Sequence, residues 1–315
     1  MNHKTNSLTY FRKLISNSTI FVLLVILSFS CNTNPNPSKE AILASLDSIN
    51  ATHEAPEINI EELNSLFQSI PSPLEVSFLI KEVGGVYNKT YLNSTSNKKK
   101  YTTSHQKALN LGVYGADLAY SNIFNKNQDG LFYLDAISEL ANDLSLGQFF
   151  DYNTLNRLMK NDNNLDSLLL ITTSNFEKIN TYLQNQDRSQ LSVLIIAGGW
   201  IEGLNLLCKV HQQNPNEELK ERIGEQKVVL EQLLQLLNHH KHDEYVSQLI
   251  IDFENLISIY SNISIDLVEG ESSYEIIDGV MKVVDHSYSK VNITKEQTTS
   301  IADAVTVLRK KIIQE

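Results

Sequence analysis

Apolar and small side chains recur along residues 107–124 at Leu109, Gly112, Val113, Ala116, Tyr120, Ile123 and Phe124. That is the 3.6-residue spacing of a helix that buries one broad face. Gly112, Gly115, Ala116 and Ala119 cluster where successive turns meet, and side chains that small let a second helix come close to the backbone. Asn127-Gln128-Asp129-Gly130 reads as a turn. A second helix follows through Leu131, Leu134, Ile137, Leu140 and Leu144 and stops at Gly147. A connection this short predicts an antiparallel helical hairpin.

The same reading extends in both directions. Ser38 is placed to cap a helix through Leu43, Leu46 and Ile49. Another short helix runs from Ile60 to Ile70 and ends at Pro71-Ser72-Pro73. A third starts at Leu74 and stops at Gly84-Gly85. Residues 88–104, rich in Asn, Ser, Thr and Lys, are expected as an exposed loop that fills no core. Downstream, helices are expected over Tyr152–Lys160 and Leu165–Leu183. Leu191–Val210 is apolar almost all round, the pattern of a central bundle helix, and carries Gly198, Gly199 and Gly203.

Asn214-Pro215-Asn216-Glu217-Glu218 opens the next helix, which continues through Leu219, Ile223, Leu230, Leu233 and Leu237. A further helix runs through Tyr245, Leu249, Phe253, Leu256 and Tyr260. Val280–Val284 and Ser289–Ile293 have strand composition and are expected either as a small β-hairpin near residues 280–293 or, for the first, as a helix end. Thr294 and Gln297 fit a capping box for the last helix, through Ile301, Val305, Leu308 and Ile312, with Arg309, Lys310 and Lys311 in its final turns. Gly112-Val113-Tyr114 aligns with Gly198-Gly199-Trp200 as a loose internal repeat. Pro215 is the only proline after residue 73. The fold class expected is therefore all-α, a multi-helix bundle of antiparallel hairpins.

The N-terminus changes the picture of where this bundle works. Lys4, Arg12 and Lys13 precede the apolar run Ile20–Leu27. Eight residues span about 12 Å as a helix, well short of the roughly 30 Å bilayer core. The run is the h-region of a secretory signal over residues 1–30. Leu27-Ser28-Phe29-Ser30-Cys31 then resembles the lipobox of bacterial lipoproteins, with Phe29 bulkier than the usual small residue. The resemblance implies cleavage before Cys31, a diacylglycerol on its thiol and a fatty acid such as palmitate on the new amino group. Residues 31–37, polar and with two prolines, form a tether, and 38–315 a single helical domain. No acidic cluster follows Cys31, so the expected site is the outer membrane, facing the periplasm.

Removing residues 1–30 takes away three basic and no acidic side chains, leaving 23 Lys and Arg against 37 Asp and Glu. A net charge of about 14 negative argues against nucleic acid and against anionic lipid head groups as partners. The expected partners are the membrane, through the lipid anchor, and an envelope protein. Cys208 is the second of two cysteines and sits on an apolar helix, where it reads as a buried, inert thiol.

Phosphate-cradling glycine loops, nucleophile elbows, HExxH and CxxC motifs are absent from the sequence, and no cofactor is implied. Asp117 has Tyr114 and Tyr120 one turn before and after it, so the three can line a pocket. Asp117 also lies on the polar stripe Lys107, Asn110, Asp117, Ser121, Asn125, which predicts a solvated side chain. Glu202 stands on an otherwise apolar helix close to Trp200. A carboxylate there must find partners, Asn205 being within reach, or have its pKa raised by desolvation. His239, His242 and Asp243 have the spacing to share a metal on a helix end, but they fall at a helix junction beside Lys241 and are expected as a hydrated turn.

The stretch Leu111–Tyr120, with the second helix ending in Leu144-Ser145-Leu146-Gly147, resembles a group of uncharacterised Bacteroidota lipoproteins over residues 105–150 and the signal region. The resemblance implies a helical envelope protein and brings no activity with it. Two functions follow: a lipid-anchored, non-catalytic binding or assembly component, or an enzyme or small-molecule sensor. The second would use a pocket between the glycine-bearing helices, with Glu202 as its acid or base.

Overall fold

The first described helix, α1 (Pro73–Glu82), starts on a reciprocal cap: the Ser72 hydroxyl accepts from the Glu75 amide, and the Glu75 carboxylate accepts from the Ser72 amide at 2.9 Å. The computed structural model describes residues 70–150, 175, 178–270, 273–277, 280–284 and 286–314. All fall within one unit, Pro56–Glu315. Cys31, the tether, the helices expected before residue 70 and the one expected over Tyr152–Lys160 lie outside the described residues.

Helix α2 (Ser104–Ile123) begins at the Thr103–Gln106 capping box. Helix α3 (Asn127–Asp143) follows after three residues, with Asn125 in the left-handed region at φ 55°. Asn127-Gln128-Asp129-Gly130 is thus the first turn of α3, not a separate turn. Residues 178–184, the described end of the helix expected to Leu183, are helical and bury Ile179 and Leu183. Helix α4 (Ser189–Gln213) is the centre of the bundle. It is long and apolar enough to cross a membrane, yet 89% of its apolar window is buried inside the protein.

Helices α5 (Glu217–His239), α6 (Glu244–Tyr260) and α7 (Lys295–Gln314) complete the helical body. Asn216 caps α5, the Asp243 carboxylate accepts from the Tyr245 and Val246 amides at the start of α6, and Thr294 with Gln297 caps α7.

Helices α2 and α4 touch backbone to backbone. A Cβ on Gly112 would lie 1.9 Å from the Ile195 carbonyl oxygen, and one on Gly198 would lie 1.9 Å from the Leu109 carbonyl oxygen. The relation is reciprocal, since each glycine meets the residue three positions before the other. Beyond the crossing Asp117 hydrogen bonds with Glu202, so the two helices run in the same direction. This local two-fold arrangement follows the alignment of Gly112-Val113-Tyr114 with Gly198-Gly199-Trp200.

Residues 88–104 depart from expectation. They form two 3-10 turns, Lys89–Tyr91 and Thr95–Lys100. Leu92, Asn93 and Tyr101 are buried, so the segment does fill core. Its polar composition hid this because asparagine and tyrosine are buried here through hydrogen bonds rather than by hydrophobicity alone.

Between α6 and α7 lies a β-hairpin in two parts. β1 (Ser264–Val268) pairs antiparallel with β4 (Tyr288–Asn292), and β2 (Ser273–Ile277) with β3 (Val280–Val284). Both segments expected as strands are strands, but they pair with the residues before Gly279 rather than with each other. Four residues separate β1 from β2 and three separate β3 from β4, so the register shifts by one across the joint. The base of the ribbon sits on α5, where a Cβ on Gly224 would come within 2.5 Å of Val291 Cγ1.

Candidate functional site

The chemistry-bearing residues singled out in α2 and α4 meet around a third one contributed by α7. Arg309 donates from Nη2 to Glu202 Oε1 at 2.6 Å, from Nε to Glu202 Oε2, and again from Nη2 to the Tyr91 carbonyl at 2.9 Å. A guanidinium is a planar fork that matches two carboxylate oxygens at once. Glu202 is completely buried and the Arg309 side chain is 13% exposed. Asp117, also fully buried, accepts from the Asn93 amide at Oδ2, 3.1 Å away, and hydrogen bonds with Glu202.

One buried cation cannot balance two buried anions. Desolvation and then the negative charge of Glu202 push the Asp117 carboxyl well above the ordinary aspartate range, although Arg309 pulls the other way. Burial and the neighbouring Glu202 thus favour the protonated form of Asp117. Its Oδ1 has no conventional donor facing it, which leaves that oxygen to carry the proton toward Glu202. The cluster is then a neutral set: a carboxylic acid, a carboxylate and a guanidinium. Arg309 is itself held more firmly protonated than usual by Glu202, despite its burial.

The tyrosines around this cluster fix the 88–104 segment to it. Tyr133 donates to the Asn93 carbonyl at 3.1 Å, and Tyr114 donates to the Ser94 carbonyl at 3.0 Å. Tyr101 accepts from Asn93 Nδ2 and donates to the Ile313 carbonyl near the end of α7. Burial raises the pKa of all three phenols, so each keeps at neutral pH the proton it donates to these carbonyls. Asn110 Nδ2 donates to the Ile312 carbonyl at 3.0 Å, a second fastening of α7 to α2.

Of the five residues expected around a pocket, Asp117, Glu202 and Tyr114 gather here. Tyr120 does not: its hydroxyl accepts from the Asn88 amide, donates to the Val86 carbonyl and is pushed up to about 12 by burial. Trp200 donates to Gln226 Oε1 at 2.9 Å and packs on Phe253, facing α5 and α6.

The solvated Asp117 expected from the polar stripe is corrected. Lys107 on that stripe does reach outward, to Asp143 of α3, but the Asn93 amide and Glu202 cover Asp117. Asn205 is not the hydrogen bonder of Glu202, which is held by Arg309. Arg309 was expected to serve the helix end. The signal that it does not is its position four residues after Val305, on the apolar face of α7.

The histidine run is a junction. Asp243 caps α6 and accepts from His105 Nε2 at 2.8 Å, while the His105 ring stacks on Tyr245. His239 and His240 meet edge to face, and burial lowers His240 to about 4. Among the described residues no three His, Cys, Asp or Glu side chains converge as metal ligands.

Closed on itself in this way, the cluster joins α2, α4, α7 and the 88–104 segment. Neither carboxyl group has a surface through which a substrate or a proton acceptor could reach it. Comparison with protein-family models, curated proteins and solved structures found no match to the chain.

Proposed function

We propose that the chain is a lipid-anchored, non-catalytic helical protein of a bacterial cell envelope that works by binding or assembly. The observation carrying the non-catalytic part is the mutual closure of Asp117, Glu202 and Arg309. An acid or base in catalysis must reach a substrate atom, and the two candidate carboxyls are fully buried. The anchoring part is supported by the h-region and the Leu27–Cys31 lipobox, and the envelope setting agrees with the Bacteroidota lipoproteins that the chain resembles. Acyl chains, each CH₂ contributing about 0.8 kcal/mol on burial, hold such a protein to a bilayer without a spanning helix. The acidic surface leaves charge no part in that attachment.

Metabolic labelling with radioactive palmitate tests the anchor. The wild-type chain is expected to label and to fractionate with outer membranes, and Cys31→Ala is expected to lose both. Label retained by Cys31→Ala overturns the anchor. Cross-linking before gentle detergent extraction tests the binding role. Recovery of a reproducible envelope partner supports it, and recovery of the chain alone counts against it.

A further inference from the structure

Among the described residues, one ribbon lies outside the helical body. Among the described residues none of β1 to β4 has a second neighbouring strand. Side chains two apart on a strand share a face, so Ile265 and Leu267 of β1 lie with their partners Val291 and Ser289 on the side toward α5. Val291 is 7% exposed against Gly224, whereas Leu267 is 71% exposed. The ribbon therefore leaves the surface of the protein between these two pairs and overhangs it. On the opposite face Asp266 stands across from Lys290 and Val268 from Tyr288, and Tyr288 is also well exposed.

A two-stranded ribbon is marginally stable alone, and its outer edges present unpaired backbone N–H and C=O groups that template another strand. Charge selects the occupant. Residues 264–292 contain six Asp or Glu and two Lys. Asp266 and Glu269, both exposed, mark the β1 side of the ribbon, and the two lysines of the ribbon, Lys282 and Lys290, stand on β3 and β4. A second copy adding through its own β1 would set these carboxylates against their counterparts. Addition of β1 to the β4 of another copy would be heterologous, giving a ring or an open filament rather than a two-fold dimer. An anionic lipid surface is repelled.

We propose that the free edge of β1 takes up an extended segment of an envelope partner in which basic and apolar side chains alternate. Backbone hydrogen bonds along β1 supply affinity. A lysine or arginine of the incoming strand pairs with Asp266 on one face, and a valine or isoleucine packs on Leu267 on the other. The biological setting rests on the binding role proposed above, but the contact itself is independent of the lipid anchor.

The test titrates the full chain, solubilised in a non-ionic detergent, with a fluorescent peptide alternating valine and lysine and with its valine–glutamate counterpart. Saturable binding of the lysine peptide alone is expected, with slowed amide exchange at residues 264–268. Asp266→Lys is expected to weaken binding about tenfold. Equal binding of the two peptides, no binding, unchanged affinity of Asp266→Lys, or protection confined to residues outside β1 overturns the proposal. So does a dimer in sedimentation that Leu267→Lys abolishes, since the edge would then belong to a second copy. The exchange readout on the unmodified chain decides the matter even where a variant fails to fold. Loss of palmitate labelling alongside intact peptide binding would fault the anchor and leave the ribbon proposal standing.

Discussion

Arg309, near the C-terminal end of α7, holds both carboxylate oxygens of Glu202 in the middle of α4. The two residues are 107 positions apart in the chain, and the pair is sealed from solvent on the Glu202 side. Their contact adds a buried polar tie to the apolar stripe Ile301, Val305, Leu308 and Ile312, through which the last helix packs into the core.

Removing the cation from this pair strands a buried charge, a loss of about 3–5 kcal/mol where one partner of a buried pair is deleted. Arg309→Met is expected to fall in that range by urea denaturation. Glu202→Gln is expected to cost less, because Asp117 is close enough to release its proton and balance Arg309 in turn. Equal losses in the two variants would show that Asp117 does not share the site.

The protonated Asp117 sets a pH dependence with a definite sign. The unfolded chain releases this proton near the ordinary aspartate value, about 3.9, while the folded chain keeps it. Above that pH the folded state binds more protons, so this group's contribution to stability falls as pH rises and levels off only beyond the raised folded-state pKa. Asp117→Asn keeps a donor toward Glu202 and an acceptor for the Asn93 amide without the charge. It is expected to gain stability relative to wild type between about pH 4 and pH 8. Urea midpoints of both proteins across that range measure it. A difference constant with pH would mean that Asp117 is ionised in the fold.

The two-helix contact yields opposite outcomes from one type of substitution. Gly112→Ala and Gly198→Ala each place a methyl group 1.9 Å from a backbone oxygen of the facing helix, where nothing flexible can yield. Overpacking of a tight core costs roughly 1–3 kcal/mol or more, and both variants are expected at or beyond that range. Gly115→Ala, in the same helix but with nothing within 4 Å of the new Cβ, is expected to stabilise by up to about 1 kcal/mol through helix propensity. Thermal denaturation of the three variants distinguishes close packing from general glycine content.

What the sequence made legible was whatever depends on periodicity. The apolar stripes placed α2, α4, α5, α6 and α7 and the small-residue strips at which α2 and α4 meet, because burial of one face imposes a spacing that survives in one dimension. It misplaced Asp117, since a polar stripe along a helix looks the same whether it faces water or a buried guanidinium from elsewhere in the chain. The same limit hid Asn93 and Tyr101 in a segment of loop composition. It also set Val280–Val284 against the wrong strand, because composition identifies strands while register depends on where the turn falls. Arg309 was the available clue, being a cation four residues after Val305 on an apolar face, with a carboxylate on the central helix waiting for a partner.

Cys208 offers a probe of the whole core. It is buried on α4, and desolvation pushes its thiol up to about 12. The thiolate is the reactive form, so both access and ionisation oppose modification in the folded state. In Cys31→Ala it is the only thiol in the chain. That variant is expected to leave a thiol reagent unconsumed at neutral pH and to react fully in urea, with a midpoint matching that of helix loss by circular dichroism. A coincidence of the two transitions means that α4 becomes accessible only when the bundle opens as a unit. Rapid reaction in the absence of urea would place α4 at the surface, and the close contact of Gly112 with Ile195 could not then exist.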